Sequence, residues 1–211
     1  MRFVTAAALV LLLAAPASAQ TPPGGSAAEG PGACAARETT LGGIGRVTVF
    51  AFIGPVFGGR VCAVVANLGS DQFTARIAAV PSDDALVTVA LTGGGDVTAP
   101  LGEAAVTGAG PYVIAPGGVI PAFGSDTAEL PRVVLAYAGQ RTFIIATTAI
   151  ALVDLAKELR SQPGAFGADA FERAVILASG PNAALSLRTA DGTVGAPNVI
   201  APRVLLLIKR G

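Results

Sequence analysis

The chain has 211 residues, 52% of them hydrophobic and 13% charged, with 14 Lys and Arg against 14 Asp and Glu and no histidine. Balanced charge leaves no electrostatic footprint for nucleic acid or an anionic membrane surface. Without histidine there is no Ser-His-Asp or Cys-His catalysis, and two cysteines alone do not complete a usual tetrahedral zinc set, so no metal site or cofactor is implied.

The chain opens with the pattern of a secretory signal peptide over residues 1–19. Arg2 supplies the positive charge, an apolar run from Val4 to Ala15 is too short to span a bilayer, and Pro16 breaks it. Ala17-Ser-Ala19 offers the small residues that a signal peptidase requires, so cleavage is expected after Ala19 and the mature chain begins at Gln20. The alternative is an uncleaved membrane anchor. No cysteine stands at the cut to take a lipid. The expected location is therefore secreted or periplasmic, with no membrane span after cleavage. Without residues 1–19 the balance is 13 basic to 14 acidic residues, still close to neutral. Residues 20–33, rich in Pro, Gly and Ser, read as a flexible leader. Residues 34–211 are long enough for one domain with a substantial core. In an oxidising compartment Cys34 and Cys62 are expected to form one disulfide.

Short β-branched runs punctuated by Gly, Pro and Asp follow. Strands are expected at Arg46–Ile53, Val61–Ala66, Phe73–Ala79 and Leu86–Leu91, arranged as an antiparallel meander. The stretch from Val97 to Phe123 is dense in Gly and Pro, with short strands at Tyr112–Ala115 and Val119–Ala122 around Pro116-Gly-Gly118. Arg132–Ala138 and Thr142–Thr147, joined at Gly139-Gln140, give the clearest hairpin pattern. A helix is expected after Thr148, capped by Thr147 or Thr148 and ended at Ser161-Gln-Pro-Gly164, with a short second helix around Asp169–Arg173. Strands at Ala174–Leu177, Ala184–Thr189 and Val204–Lys209 complete the chain, the last apolar enough to be central. The fold class expected from this order is α+β: a largely antiparallel sheet with one main helix and a short second helix packed on it.

Five segments in this order resemble the carboxyl-terminal half of the phosphodiester glycosidase family. They are Ala105-Val-Thr-Gly-Ala-Gly-Pro-Tyr-Val-Ile114, Pro131-Arg-Val-Val-Leu135, Leu152-Val-Asp-Leu-Ala-Lys-Glu-Leu159, Ala174-Val-Ile-Leu-Ala-Ser-Gly-Pro-Asn182 and Ala201-Pro-Arg-Val-Leu-Leu-Leu-Ile208. The resemblance implies action on, or binding of, sugar phosphodiesters or cell-surface glycans. Its acidic Asp-Gly-Gly-Gly motif falls on Ala178, Ser179, Gly180 and Pro181, so the carboxylate of the most diagnostic position is missing. The family's Asn-Gly-x-Phe-Phe segment has no counterpart here, and its final-strand arginine falls on Arg203.

The resemblance makes Arg132 the leading ligand-binding residue, a planar fork for a phosphate or carboxylate. The alternative is a structural arginine paired with Glu129 or Asp126. Gly108, Gly110, Ser179, Gly180 and Asn182 lie in loops able to offer backbone N–H groups or a side-chain amide to a ligand, or else simply to turn the chain. Asp126 and Glu129, just before the Arg132 strand, are the candidate acid/base pair, since glycoside cleavage ordinarily uses two carboxylates. Two readings follow: a glycosidase-like hydrolase, possible only if those carboxylates serve, and a non-catalytic module that binds a glycan, another small molecule or a protein partner. An unrelated exported structural domain is the third. Oligomeric state is not encoded in any motif.

Overall fold

The structure is a computed structural model, described here over residues 36–52, 61–70, 72–124, 127–196 and 204–211. The signal peptide, the leader, Cys34, Asp126 and Arg203 lie outside these residues.

Fourteen strands and one α-helix form among the described residues. In chain order they are β1 (Arg37–Leu41), β2 (Gly45–Phe52), β3 (Val61–Gly69), β4 (Phe73–Ala78), β5 (Val87–Ala90), β6 (Val97–Leu101), β7 (Ala104–Ala109) and β8 (Tyr112–Ile114). There follow β9 (Leu130–Ala138), β10 (Arg141–Ile150), α1 (Leu152–Ser161), β11 (Arg173–Ser179), β12 (Leu185–Thr189), β13 (Gly192–Ala196) and β14 (Leu205–Arg210). A seven-stranded sheet runs β1-β2-β3-β10-β9-β11-β8, a five-stranded sheet runs β13-β12-β5-β14-β4, and β6 and β7 make a separate hairpin. Every pairing is antiparallel.

The period-2 rule explains the layers. Along β9, Val133 and Leu135 face the five-stranded sheet and join Val87, Val89, Leu185, Leu187, Leu206 and Ile208 in one buried cluster. The alternate residues Val134, Ala136 and Ala138 face the other way, meeting Leu152, Leu155 and Leu159 of α1. Strands β10 and β11 divide in the same manner. The seven-stranded sheet is thus the middle layer, covered by α1 on one side and the second sheet on the other. Burial on both faces is why Val133–Ala136 and Phe143–Ala146 are unbroken apolar runs rather than alternating ones. On the helix side, Phe50, Phe166, Phe171 and Phe143 meet edge to face in succession, with centroids 5.3, 5.9 and 5.5 Å apart.

Three expectations need correction. The fold is essentially all-β with a single α-helix, not α+β with two. Residues 169–172 are irregular and lead directly into β11. Asp169-Ala-Phe-Glu-Arg173 is too short to meet the nucleation cost of a helix alone, and Phe171 is drawn into the core against Phe143 while Glu172 N–H donates to Tyr137 O. The early strands do not form a meander either: β3 belongs to the first sheet, and β14 lies between β4 and β5. Finally, α1 starts later than expected, with Ala151 at its N-cap and no side-chain cap. Strand β10 continues to Ile150, and the Thr148 hydroxyl accepts from Cys62 N–H at 3.0 Å instead of capping the helix. The hairpin of β6 and β7 and the edge strands β1 and β13 had no clear pattern in the sequence. Hairpin β6–β7 is held down by Tyr137, whose hydroxyl donates to Pro100 O while the Arg173 guanidinium lies 4.2 Å over its ring. Burial pushes the phenol up to about 12.

Two outcomes follow from the helix layer. Leu155 is completely buried between α1 and the sheet, so Leu155→Ala is expected to lower stability by about 2 to 5 kcal/mol, read as a lower urea midpoint at unchanged slope. Glu158 is also buried, accepts from Gln162 Nε2 at 2.8 Å, and has its carboxyl raised above the ordinary 4.5 by burial and then by Asp154. The folded state therefore holds this proton more tightly than the unfolded chain. The contribution is present at acid pH and is lost as pH rises from 4.5 through the raised folded value. Glu158→Gln should remove that decline, melting higher than the native protein at pH 7 and close to it at pH 4.

Candidate functional site

Arg132 opens the regular part of β9, and the register places it across from Thr147 on β10 and Ser179 on β11. It is only 4% exposed. Its Nε–H donates to Ile150 O at 3.1 Å, one terminal nitrogen donates to Ser179 Oγ at 3.1 Å, and the other donates to Ala128 O at 3.0 Å. The guanidinium thereby joins the start of β9, the end of β10 and the end of β11. Two of the acceptors are backbone carbonyls, one in the loop before β9 and one at the last residue of β10. A neighbouring buried atom is not so served: Thr147 Oγ1 has no hydrogen-bond partner among the described residues.

The other sequence-derived residues divide into two places. Ser179 and Gly180 lie beside Arg132, where Gly180 is buried at φ +74° and starts a 3-10 turn that leaves Asn182 exposed. Gly108 and Gly110 lie at the end of β7, against the middle of β11. Gly110 N–H donates to Ile176 O at 2.8 Å and Gly108 O accepts from Gly95 N–H at 3.1 Å. The two loops meet β11 three residues apart, about 10 Å. Gly110 thus spends its N–H on the scaffold rather than directing it into a cleft. Ala178, at the position where the resemblance would place an acid, is wholly buried in the inter-sheet core. Glu129 is exposed and makes no ion pair among the described residues. Asp126 and Cys34 lie outside them, so neither the carboxylate pair nor the disulfide is described; Cys62 sits in β3. Among the described residues no three Cys, Asp or Glu side chains converge as metal ligands. No helix there is long and apolar enough to cross a membrane.

A different place offers open space. On the outer face of the five-stranded sheet a depression of about 140 Å³ is lined by Thr74, Arg76, Asp84, Ala85, Leu207 and Lys209, among others. Strand pairing sets Arg76 beside Leu207 and Thr74 beside Lys209, while the loop before β5 lays Ala85 onto Leu205 and Leu207. Lys209 Nζ lies 3.2 Å from Asp84 Oδ2. The Ser82 hydroxyl donates to the same carboxylate, and this bond first, with Lys209 next, holds Asp84 below the ordinary carboxylate range. Arg76 and Lys209 fall in two segments that the sequence marks only as strands. Nothing local joins them, because Arg76, Asp84 and Lys209 meet only through the β4–β14 pairing.

No protein-family model matches the chain, and no curated protein matches it. The resemblance to phosphodiester glycosidases therefore rests on the quoted segments alone.

The Arg132 contacts give a paired test. Arg132→Ala leaves two carbonyls and a hydroxyl without their donors, and is expected to lower stability by roughly 3 kcal/mol or more. Thr147→Val, which removes an unpartnered buried hydroxyl at constant shape, should be neutral or stabilising in the same denaturation assay.

Proposed function

We propose that this chain is an exported, non-catalytic binding module on a scaffold of phosphodiester-glycosidase type. The observation that carries the reading is the state of Arg132. The one side chain that the resemblance would assign to a ligand anion is buried and donates to Ile150 O, Ala128 O and Ser179 Oγ. A guanidinium with these donors committed to the scaffold has little left to present to a substrate.

The buried Ala178 supports the same conclusion. A carboxylate there would have to be desolvated among Val133, Leu177 and their neighbours. Cleavage of a glycosidic bond needs a proton donor and a base or nucleophile in register, and the diagnostic position supplies neither. Export, the Cys34–Cys62 disulfide and the glycan-linked ancestry belong to this proposal, resting on the signal pattern, the cysteine count and the five segments. A module that binds without cleaving is consistent with the open depression on the outer sheet face, which has charged walls and an apolar floor.

The test is turnover of a chromogenic sugar phosphodiester by the mature chain from Gln20. No turnover above the uncatalysed rate is expected. Robust turnover that disappears in Glu129→Gln or Asp126→Asn would overturn the reading and assign those carboxylates the chemistry.

A further inference from the structure

We infer that β4 is a strand-addition site for an extended peptide segment in which acidic and apolar residues alternate. The inference rests on the reading of the chain as a binding module and names its partner class.

The first observation is the edge. Among the described residues β4 ends the five-stranded sheet, paired only with β14. The turn between β6 and β7 approaches it at Phe73, where an atom built onto Gly102 would lie 3.5 Å from Phe73 O. From Thr74 to Ala78 no backbone hydrogen bond to another segment is formed beyond the β14 ladder, among the described residues. An unpaired edge of this kind is a template for one more strand.

The second is where the apolar surface lies. Four large hydrophobic side chains are exposed among the described residues, and three of them belong to this corner. Ile77 on β4 is 48% exposed, Val80 just beyond it 69%, and Val204 before β14 40%. The β4–β14 register, continued by one residue, sets Val204 across from Ala79. The exposed positions of β12 in the same sheet, Ser186 and Arg188, are polar, so the exposed apolar surface is local to the edge.

The third is charge. Thr74, Arg76 and Ala78 point to the outer face, where Leu207 and Lys209 neighbour them; Ala75 and Ile77 point to the opposite face. Arg76 makes no hydrogen bond or ion pair among the described residues, whereas Asp84 is already served by Ser82 and Lys209. An added strand would set one side chain beside Arg76 and the next beside Ile77. Complementarity asks for a carboxylate at the first and an apolar group at the second.

The same geometry argues against a second copy of this chain as the occupant. The free stretch is centred on Arg76, so antiparallel pairing of two copies about its middle would put the two guanidinium groups directly opposite each other. A like-charge pair at that position destabilises self-pairing, and an acidic strand reverses the sign.

The experiment uses the full mature chain and three fluorescent ten-residue peptides: alternating Glu and Val, alternating Lys and Val, and the Glu–Val peptide with N-methylated valines. The Glu–Val peptide is expected to bind at least tenfold tighter than the other two. Arg76→Glu should weaken it at least tenfold and strengthen the Lys–Val peptide. Ile77→Thr should weaken both. Arg76 and Ile77 are exposed, and unchanged melting temperatures would show that the variants fold. Equal binding of the three peptides, no binding at all, or indifference to Arg76→Glu would overturn the inference. So would a dimer of the native chain in sedimentation that Ile77→Lys disperses, since the strand would then belong to a second copy. None of these results bears on turnover, which decides the non-catalytic reading separately.

Discussion

Strands β9, β10 and β11 carry apolar side chains on both faces over most of their length, and a sheet of this kind is stable only if both faces are covered. Everything else in the fold answers that requirement. Helix α1 and the phenylalanine row close one face; the five-stranded sheet closes the other. The second sheet is covered less evenly: β12 reads buried, exposed, buried, exposed, buried, whereas Leu205–Ile208 of β14 are buried on both faces, the outer one beneath the loop that carries Ala85. The layer order therefore follows from which strands can tolerate water and which cannot.

Arg132 is a consequence of the same layering. It stands on the helix side of the central sheet, at the end where β9, β10 and β11 stop being regular. There a long side chain with several donors reaches two backbone carbonyls and a hydroxyl on three different segments. An arginine at the start of a strand after a proline is equally well suited to hold a phosphate. What separates the two roles is whether water or a ligand can reach the guanidinium, and burial answers that. Two glycines illustrate a similar point. Gly45 runs against Asn67 O so closely that a Cβ would lie 1.8 Å from it, and Gly180 adopts φ +74° to turn β11 into its 3-10 segment. In both cases the absence of a side chain serves the scaffold.

Coverage of the central sheet leaves the second sheet with a free outer face and a free edge. The outer face is where charge and open volume coincide, in the depression between Arg76, Asp84 and Lys209. The edge is where apolar side chains stay in water. A fold that used its strongest cationic fork for internal structure thus retains recognition features at its periphery, on the layer that is not required to be dry on both sides.

Much of the strand pattern was legible in the sequence. The runs at Arg132–Ala138 and Thr142–Thr147 and the intervening Gly139-Gln140 specify their hairpin locally, because alternation, β-branched residues and a turn signal agree. The helix was legible as well, since Leu152, Leu155 and Leu159 repeat at helical spacing over a sufficient length. The lost second helix shows the limit: five residues of favourable propensity yield to a phenylalanine that the core accepts. Sheet membership was out of reach for a different reason. β14 lies between β4 and β5 only because its apolar faces fill the space beneath the loop that carries Ala85, and no residue in β4 or β5 encodes that neighbour. Arg76, Asp84 and Lys209 are separated by up to 133 positions and are brought together by that pairing alone. Local residue chemistry determined which segments are strands and which positions can carry charge. Tertiary packing decided which arginine is enclosed and which is left at the edge, because burial is a property of the layers around a residue and not of its own neighbours in the chain.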